Sequence, residues 1–298
     1  MKVLLLGGSG QLGQELKEVH KNKEFCLLSP SSTEVNILND SKLANYIKLN
    51  KPEIILNFSA FTNVDLAEKS IKKNNDINFN GVKNIIKYAN EFDIPLIHLS
   101  TDYVFGKFDK GPYLIDSKLG SVNKYGSSKL NAELEILNNL HKGIIIRTAS
   151  LYGIYGSNFF KTFINVLRNK KEIDVIIDQK ISITWSQDLA LAIAKILDFI
   201  KKEKDWVCSK KIDILHLVNK GYTNWYEVAS FIALELENLS NTKNQYKVNS
   251  ILASEWHINT PRPKDSRLKF EGKISSLGKV EMPDWKSSLI KALDLYLE

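Results

Sequence analysis

Three residues in the middle of the chain have the types and spacing needed to protonate a carbonyl oxygen. Thr101 closes an apolar segment, Tyr125 follows 24 residues later, and Lys129 comes four residues after the tyrosine. Because residues four apart share a helix face, Tyr125 and Lys129 can act together. An ammonium group lowers the pKa of a nearby phenol, which can then deliver a proton near neutral pH. Thr101 can hydrogen-bond the same oxygen, so we predict that all three residues are catalytic.

A second candidate site lies at the start of the chain, where Lys2–Leu6 is predicted to be a buried strand. It runs into Gly7–Gly13, a glycine-rich segment that opens a predicted helix. In this context Gly7 permits a tight turn and Gly10 lets backbone N–H groups approach a pyrophosphate. Gly13 allows the helix to pack closely on the strand. The pattern therefore predicts a dinucleotide site.

The end of the second predicted strand bears on which dinucleotide binds. The segment Leu28–Ser32 has no Asp or Glu to bind a free ribose 2′-hydroxyl and no Arg to clamp a 2′-phosphate. A carboxylate there would repel the phosphate, whereas serine hydroxyls and loop amides accommodate it. We therefore expect NADPH as the cofactor, with NADH tolerated.

Alternating strands and helices must position these residues. In the first half, short apolar runs alternate with segments of helical periodicity, which predicts parallel strands with helices on both faces. The predicted strands are Lys2–Leu6, Phe25–Leu28, Glu53–Asn57, Pro95–Leu99 and Gly143–Arg147, and the predicted helices are Gln11–His20, Ser41–Leu49, Asn75–Phe92 and Lys124–Leu140. The expected fold class is α/β, a doubly wound parallel sheet of Rossmann type with a smaller, interleaved C-terminal part.

The alternation loosens after residue 150. The predicted elements there are helices at Asn158–Asn169, Gln187–Lys201, Trp225–Leu236 and Trp285–Leu297, strands at Ile173–Ile177 and Ile212–Val218, and a loop at Asn238–Asn244. We expect residues 1–150 to form a dinucleotide-binding domain with later returns near 171–218. Residues 151–170 and 219–298 are expected to form a substrate-binding domain.

Composition limits the remaining function classes. The chain has 298 residues, of which 43% are apolar, too many for a disordered protein. The net charge of +7 suggests nucleic acid, but only four of the 41 basic residues are Arg and the lysines are dispersed, so we expect no nucleic-acid partner. No apolar run reaches the ~18 residues that a membrane span needs. Cys26 and Cys208 form no disulfide framework, which favours a cytoplasmic location.

These residues, with others, resemble the extended short-chain dehydrogenases/reductases and, within them, the dTDP-4-dehydrorhamnose reductase family. The matching segments span nearly the whole chain; they are 7–16, 57–65 with Glu68, 100–105, 123–130 with Glu133, 147–148, 152–153, 158–159, 178–179, Thr184, and 262–263 with Ser266 and Leu268. The resemblance implies hydride transfer from NADPH to the C4 ketone of a nucleotide-linked 4-keto-6-deoxy sugar. In the dTDP case the product is dTDP-L-rhamnose, a precursor of surface polysaccharide.

The resemblance also implies two sets of contact residues. The cofactor set is Gly7, Gly10, Gln11, Leu12, Gly13, Asn36, Ile37, Ser59, Ala60, Tyr125 and Lys129. The substrate set is Thr62, Val64, Thr101, Tyr103, Tyr125, Asn158 and Arg262. In this scheme Thr101 polarises the ketone oxygen, Tyr125 protonates it, and Lys129 supports Tyr125.

Several positions depart from relatives of this kind. The related 4,6-dehydratases carry Glu after Thr-Asp, where this chain has Tyr103, so reduction is favoured over elimination. Ser150 stands where the reductases carry a Trp near the sugar, which leaves the exact sugar open. Some members dimerise around Mg²⁺ through Glu residues. Glu15 matches one of these but Gln187 replaces another, so we predict no metal and leave a homodimer open.

Three alternatives remain at this stage. The chain could reduce another nucleotide-linked 4-keto sugar. It could be a non-catalytic NADP-binding subunit of the same fold, similar to the regulatory subunit of methionine adenosyltransferase. It could also be a sugar-nucleotide epimerase, which would hold its cofactor through purification.

Overall fold

Short aliphatic runs form the strands, and amphipathic segments form the helices between them. The computed structural model describes residues 1–21, 23–108, 110–202, 212–256, 260–274 and 278–298, so Cys208 lies outside the described residues. The strands are β1 (Lys2–Leu6), β2 (Cys26–Leu28), β3 (Ile54–Asn57), β4 (Leu96–Thr101), β5 (Gly143–Thr148), β6 (Leu151–Tyr152), β7 (Glu172–Ile176), β8 (Lys180–Ile181), β9 (Thr184–Trp185), β10 (Ile212–His216), β11 (Thr223–Asn224), β12 (Lys247–Ile251), β13 (Lys273–Ile274) and β14 (Gly278–Lys279). The helices are α1 (Gln11–His20), α2 (Asp40–Asn50), α3 (Val64–Lys69), α4 (Ile71–Asn75), α5 (Gly81–Glu91), α6 (Lys124–Asn139), α7 (Phe159–Lys170), α8 (Ser186–Lys202), α9 (Trp225–Ser240) and α10 (Trp285–Leu297).

Six strands form one parallel sheet in the order β10-β5-β4-β3-β1-β2. The strand order reverses beside β1, which pairs with β2 on one side and with β3 on the other. In open sheets of this kind, ligands bind at the carboxyl ends of the strands near such a reversal. This topology confirms the predicted α/β class with a doubly wound parallel sheet.

Helices cover both faces of this sheet because β1 sends alternate side chains to opposite sides. Val3 and Leu5 pack in a core with residues of α1 and α8. Leu4 and Leu6 pack in a second core with residues of α2, α5 and α6. This alternation is the period-two pattern of a strand buried on both faces.

The C-terminal region has a core of its own. Buried apolar residues of α7, α9 and α10 pack around Tyr152 and Trp185. The strand predicted at 173–177 is present as β7, and it pairs with β12 rather than with the six-stranded sheet. No helix within the described ranges is long and apolar enough to cross a membrane.

Two predicted helices differ from the observed elements by more than one or two terminal residues. The helix predicted over Asn75–Phe92 contains a π-helical turn at Asp76–Asn80 before α5 begins. In this wider turn the buried Asn78 side chain bonds both backbone groups of Phe61 and the Ser128 hydroxyl. The turn therefore ties the segment after β3 to α6. Helix α9 extends four residues beyond its predicted end, into the predicted loop.

Candidate active site

The glycine-rich segment packs tightly against the chain that leaves β3. Gly7 has a φ of +87°, and a Cβ added there would lie 2.5 Å from the Ser59 nitrogen. A Cβ on Gly13 would lie 2.5 Å from the Gly7 carbonyl oxygen. Both positions require glycine for the reasons expected from the sequence. Gly10 precedes α1 without a side-chain cap, so the first N–H groups of this helix are available to an anion.

A cavity of about 1000 Å³, here called the large cavity, lies between this segment and α4. Six of the predicted cofactor residues line it: Gly7, Gly10, Asn36, Ile37, Ser59 and Ala60. Lys69, Lys72 and Lys73 line the same cavity, and Asp76 pairs with Lys72 at 2.8 Å. A glycine cradle, a helix N-terminus and nearby ammonium groups fit the phosphates of a dinucleotide.

A second cavity of about 440 Å³, the central cavity, adjoins the large cavity through shared residues such as Gly7 and Ala60. The three predicted catalytic residues Thr101, Tyr125 and Lys129 line it together. So do seven further predicted contacts: Gln11, Leu12, Gly13, Thr62, Val64, Tyr103 and Asn158. Residues distant in sequence are thus brought to the carboxyl end of β4.

Thr101 and Tyr125 form the polar centre of this cavity. Thr101 Oγ1 donates to the Asp102 carboxylate at 3.0 Å and accepts the Tyr103 N–H at 3.2 Å. Burial raises the pKa of Tyr125 to about 12, while a hydrogen bond with Thr101 opposes this rise. Burial also raises the pKa of Asp102 to about 6. The hydrogen bond from Thr101 shows that Asp102 is a hydrogen-bond acceptor directly after β4.

The expected lowering of the Tyr125 pKa by Lys129 is wrong in this structure. The Lys129 ammonium nitrogen lies 2.7 Å from the Leu99 carbonyl oxygen and 3.0 Å from His98 Nε2. Burial lowers the pKa of Lys129 itself to about 8, with Glu133 opposing. Burial dominates for the phenol as well, so Tyr125 stays protonated at neutral pH, the state that a proton donor needs.

A third cavity of about 530 Å³, the outer cavity, holds the remaining predicted contact, Arg262. Phe159 and Trp225 line both the central and the outer cavities. Arg262 also pairs with Asp65, at 3.0 and 3.1 Å. The Arg262 guanidinium therefore links the outer cavity to α3, and its other N–H groups can donate hydrogen bonds to an anion.

Buried polar contacts join the elements that surround the central cavity. Arg147 makes a two-pronged ion pair with Glu133, with nitrogen–oxygen distances of 2.7 and 3.1 Å. Ser100 donates to the same carboxylate. The Asn158 amide donates to Gln11 at 2.7 Å, which links the start of α7 to the glycine-rich segment. Because such networks are costly to break, they fix the strand ends that carry the site.

The sequence-based prediction missed several residues of these cavities. Phe159 and Trp225 contribute aromatic rings to the cavity walls. In the sequence, however, an aromatic residue at the start of a predicted helix is equally typical of a hydrophobic core. The lysines of the large cavity could not be singled out because lysine is frequent throughout the chain.

Glu15 is buried against Ser186 at 3.1 Å, and the part of the chain that the structure describes contains no cluster of three metal-ligating side chains.

Comparisons with known proteins support one family. The family model described as RmlD substrate binding domain matches residues 1–297. The dTDP-4-dehydrorhamnose reductase of Aggregatibacter actinomycetemcomitans is 30% identical over 298 residues, covering 100% of this chain and 99% of that protein. The spore coat polysaccharide biosynthesis protein SpsK of Bacillus subtilis is 33% identical, covering 97% of this chain and 95% of that protein.

Two similar solved structures are also dTDP-4-dehydrorhamnose reductases. A dTDP-4-dehydrorhamnose reductase from Clostridium acetobutylicum has a TM-score of 0.88 at 30% identity, covering 100% of both chains. One from Bacillus anthracis, in complex with NADP, has a TM-score of 0.86 at 29% identity, covering 99% of both chains. The chain therefore belongs to the RmlD substrate-binding-domain family, the family of the dTDP-4-dehydrorhamnose reductases, which are oxidoreductases.

Proposed function

We propose that this protein reduces the C4 ketone of a nucleotide-linked 4-keto-6-deoxy sugar with NADPH. Our first candidate substrate is dTDP-4-dehydro-L-rhamnose, which would give dTDP-L-rhamnose. The observation that carries the proposal is the meeting of Thr101, Tyr125 and Lys129 in the central cavity, next to the glycine-rich segment.

The chain's own residues have distinct tasks in this reaction. When bound, NADPH supplies the hydride. Thr101 and Tyr125 orient the ketone oxygen by hydrogen bonds, and the protonated Tyr125 donates its proton to that oxygen as negative charge develops. Phe159 and Trp225 contribute aromatic rings to the wall of the central cavity, beside these polar contacts.

The large cavity supports NADPH as the cofactor. Its glycine cradle fits a pyrophosphate, and Lys69, Lys72 and Lys73 offer positive charge that a 2′-phosphate would favour. The Bacillus anthracis relative was solved with NADP. NADH remains a tolerated second cofactor in this proposal.

The outer cavity supports a nucleotide diphosphate as the carrier of the sugar. Arg262 and Lys264 present cations, and Trp225 and Trp256 present aromatic faces on which a base can stack. We propose that residues 151–170 and 219–298 bind this substrate while residues 1–150, with later returns near 171–218, bind the cofactor. A cytoplasmic location, a homodimer and a role in surface polysaccharide synthesis belong to the same proposal, and the Bacillus subtilis relative, a spore coat polysaccharide biosynthesis protein, supports the last of these.

A panel of dTDP-, UDP- and GDP-linked 4-keto sugars tests this function. NADPH consumption is followed with each sugar, and NADH is run in parallel. We expect turnover with dTDP-4-dehydrorhamnose and a preference for NADPH. Turnover with only a UDP- or GDP-linked sugar would replace the substrate and retain the chemistry. NADP binding without turnover on any sugar would contradict the proposal and favour a non-catalytic subunit.

A further inference from the structure

The Asn158 side chain connects the glycine-rich segment with the wall of the outer cavity. Asn158 is the N-cap of α7, where its Oδ1 accepts the backbone N–H of Lys161 at 3.1 Å. Its amide nitrogen donates to Gln11 Oε1 at 2.7 Å and to the Gly153 carbonyl at 2.8 Å. Gln11 is the first residue of α1, whereas Phe159, directly after Asn158, lines the outer cavity. One side chain thus joins the two regions in which ligands are expected.

These partners fix the orientation of the Asn158 amide. If the amide were reversed, its NH₂ group would face the Lys161 N–H and its oxygen would face the oxygen of Gln11. In the observed orientation, Gln11 and Gly153 take both amide hydrogens. Because no amide hydrogen is left for a substrate, the geometry favours a bridging role for Asn158 over the direct substrate contact that the resemblance implies.

The same contact orients the side chain of Gln11. Its Oε1 accepts from Asn158, and the reverse orientation would set two NH₂ groups against each other. Both hydrogens of the Gln11 amide nitrogen are therefore directed away from Asn158. Gln11 lines the central cavity and opens the helix whose first N–H groups are available to an anion. A dinucleotide bound at the glycine-rich segment would therefore lie against this residue.

Further contacts join the chain before α7 to the first turn of the helix. Lys161 Nζ donates to the carbonyls of Ile154 and Gly156, at 3.1 and 2.9 Å. Gly156 also lies close to Gln11, because a Cβ added to Gly156 would be 3.5 Å from Gln11 Cβ. A connected hydrogen-bond network of this kind can carry a change at Gln11 to α7, and so to Phe159.

We propose that Asn158 is a positioning residue that couples the two ligand sites through Gln11, so that bound NADP strengthens the binding of a nucleoside diphosphate in the outer cavity. Phe159 and Phe163 of α7 line that cavity. The first ligand to bind orders the connection between Gln11 and α7, so the second ligand meets a cavity wall that is already in place. The identity of the two ligands rests on the proposed function, whereas the hydrogen bonds do not.

Calorimetry on the full chain measures this coupling without any turnover. The affinity for dTDP, UDP or GDP, whichever binds most tightly, is determined with and without saturating NADP⁺. We expect it to rise at least about fivefold when NADP⁺ is bound, and the reverse titration should give the same factor, because coupling is reciprocal. In Asn158→Ser, the hydroxyl still caps α7 but the amide hydrogens are lost, so the factor should fall below about twofold.

Two further variants separate coupling from folding and charge. Gln11→Glu keeps an oxygen that accepts from Asn158, so the coupling factor should persist even though the added charge weakens NADP⁺ binding. Asn39→Ser makes the same exchange at the N-cap of α2, a residue that lines none of the three cavities, and should leave both affinities and the factor unchanged. Unfolding in denaturant verifies that each variant is folded.

The outcomes distinguish this inference from the proposed function. Equal affinity with and without NADP⁺ in the wild type, or no binding of any nucleoside diphosphate, would overturn the inference. An unchanged factor in Asn158→Ser, even with both affinities weakened, would show a merely structural role and would overturn it as well. Coupling that is lost in Asn158→Ser, in a protein that reduces no keto sugar, would refute only the proposed function.

Discussion

Replacing Tyr125 with phenylalanine separates its chemical role from its structural one. The variant loses only the phenolic hydroxyl. The ring keeps its edge-to-face contact with Tyr103, whose centroid lies 5.9 Å away. One hydrogen bond with Thr101 is lost, which costs about 1 kcal/mol of folding stability. The fold and the central cavity should therefore persist.

The effect of Tyr125→Phe on turnover should be much larger than its effect on stability. Tyr125 is the proton donor in the proposed reaction, and positioned acid catalysis contributes about 10²- to 10⁴-fold. A 10³-fold loss of rate corresponds to about 4 kcal/mol of transition-state stabilisation. This loss exceeds the expected change in unfolding free energy about fourfold.

The assay compares turnover, cofactor affinity and stability in the same preparations. The rate of NADPH oxidation is measured at saturating keto sugar, NADP⁺ binding by calorimetry, and unfolding by denaturant. Tyr88→Phe is the matched control, because Tyr88 is a buried tyrosine of α5 that lines none of the three cavities. We expect its rate to be unchanged. A Tyr125→Phe rate within tenfold of wild type would refute the assignment of Tyr125 as proton donor.

Three further predictions concern the cofactor and the strand end. Gly13→Ala should weaken NADP⁺ binding at least about tenfold in calorimetry, because its Cβ would lie 2.5 Å from the Gly7 carbonyl oxygen and force the loop to shift; unchanged affinity would contradict this close packing. Lys73→Glu should weaken NADP⁺ binding about three- to tenfold at low salt and NAD⁺ binding less; equal losses would exclude selective action on the 2′-phosphate. Asp102→Asn should change how stability varies with pH. Because burial raises the pKa of Asp102 from 3.8 to about 6, the folded state holds this proton more tightly. Wild type should therefore lose about 3 kcal/mol relative to the variant as pH rises through this window in denaturant titrations; parallel curves would contradict the shift.

Much of the fold could be predicted because its signals are local. The runs at Lys2–Leu6 and Gly143–Arg147 are apolar and short, and the observed strands agree with them to within one residue. The π-helical turn at Asp76–Asn80 was not predictable, because it depends on contacts that Asn78 makes with residues far away in sequence. Pairing of β7 with β12 likewise depends on tertiary packing.

The candidate site likewise has features that the sequence predicts and features that it does not. The glycine spacing is visible in the sequence because the glycines lie within one continuous segment, and the Tyr125–Lys129 pair is visible because one helical turn separates the two residues. The lowered pKa of Lys129 is not visible there, because it depends on burial in the folded chain, where Lys129 Nζ lies 3.0 Å from His98, 31 residues away in another element. The position of each predicted contact in one of three adjoining cavities supports the proposed roles, which stay predictions.

Transfer of an isotopic label tests the central claim most directly. The protein is incubated with dTDP-4-dehydrorhamnose and NADPH that carries deuterium at the transferable position, and the product is examined by NMR and mass spectrometry. The proposed reaction predicts one deuterium at C4 of the sugar for each NADPH consumed, with dTDP-L-rhamnose as the product. An unlabelled sugar, or label at any other carbon, would contradict it.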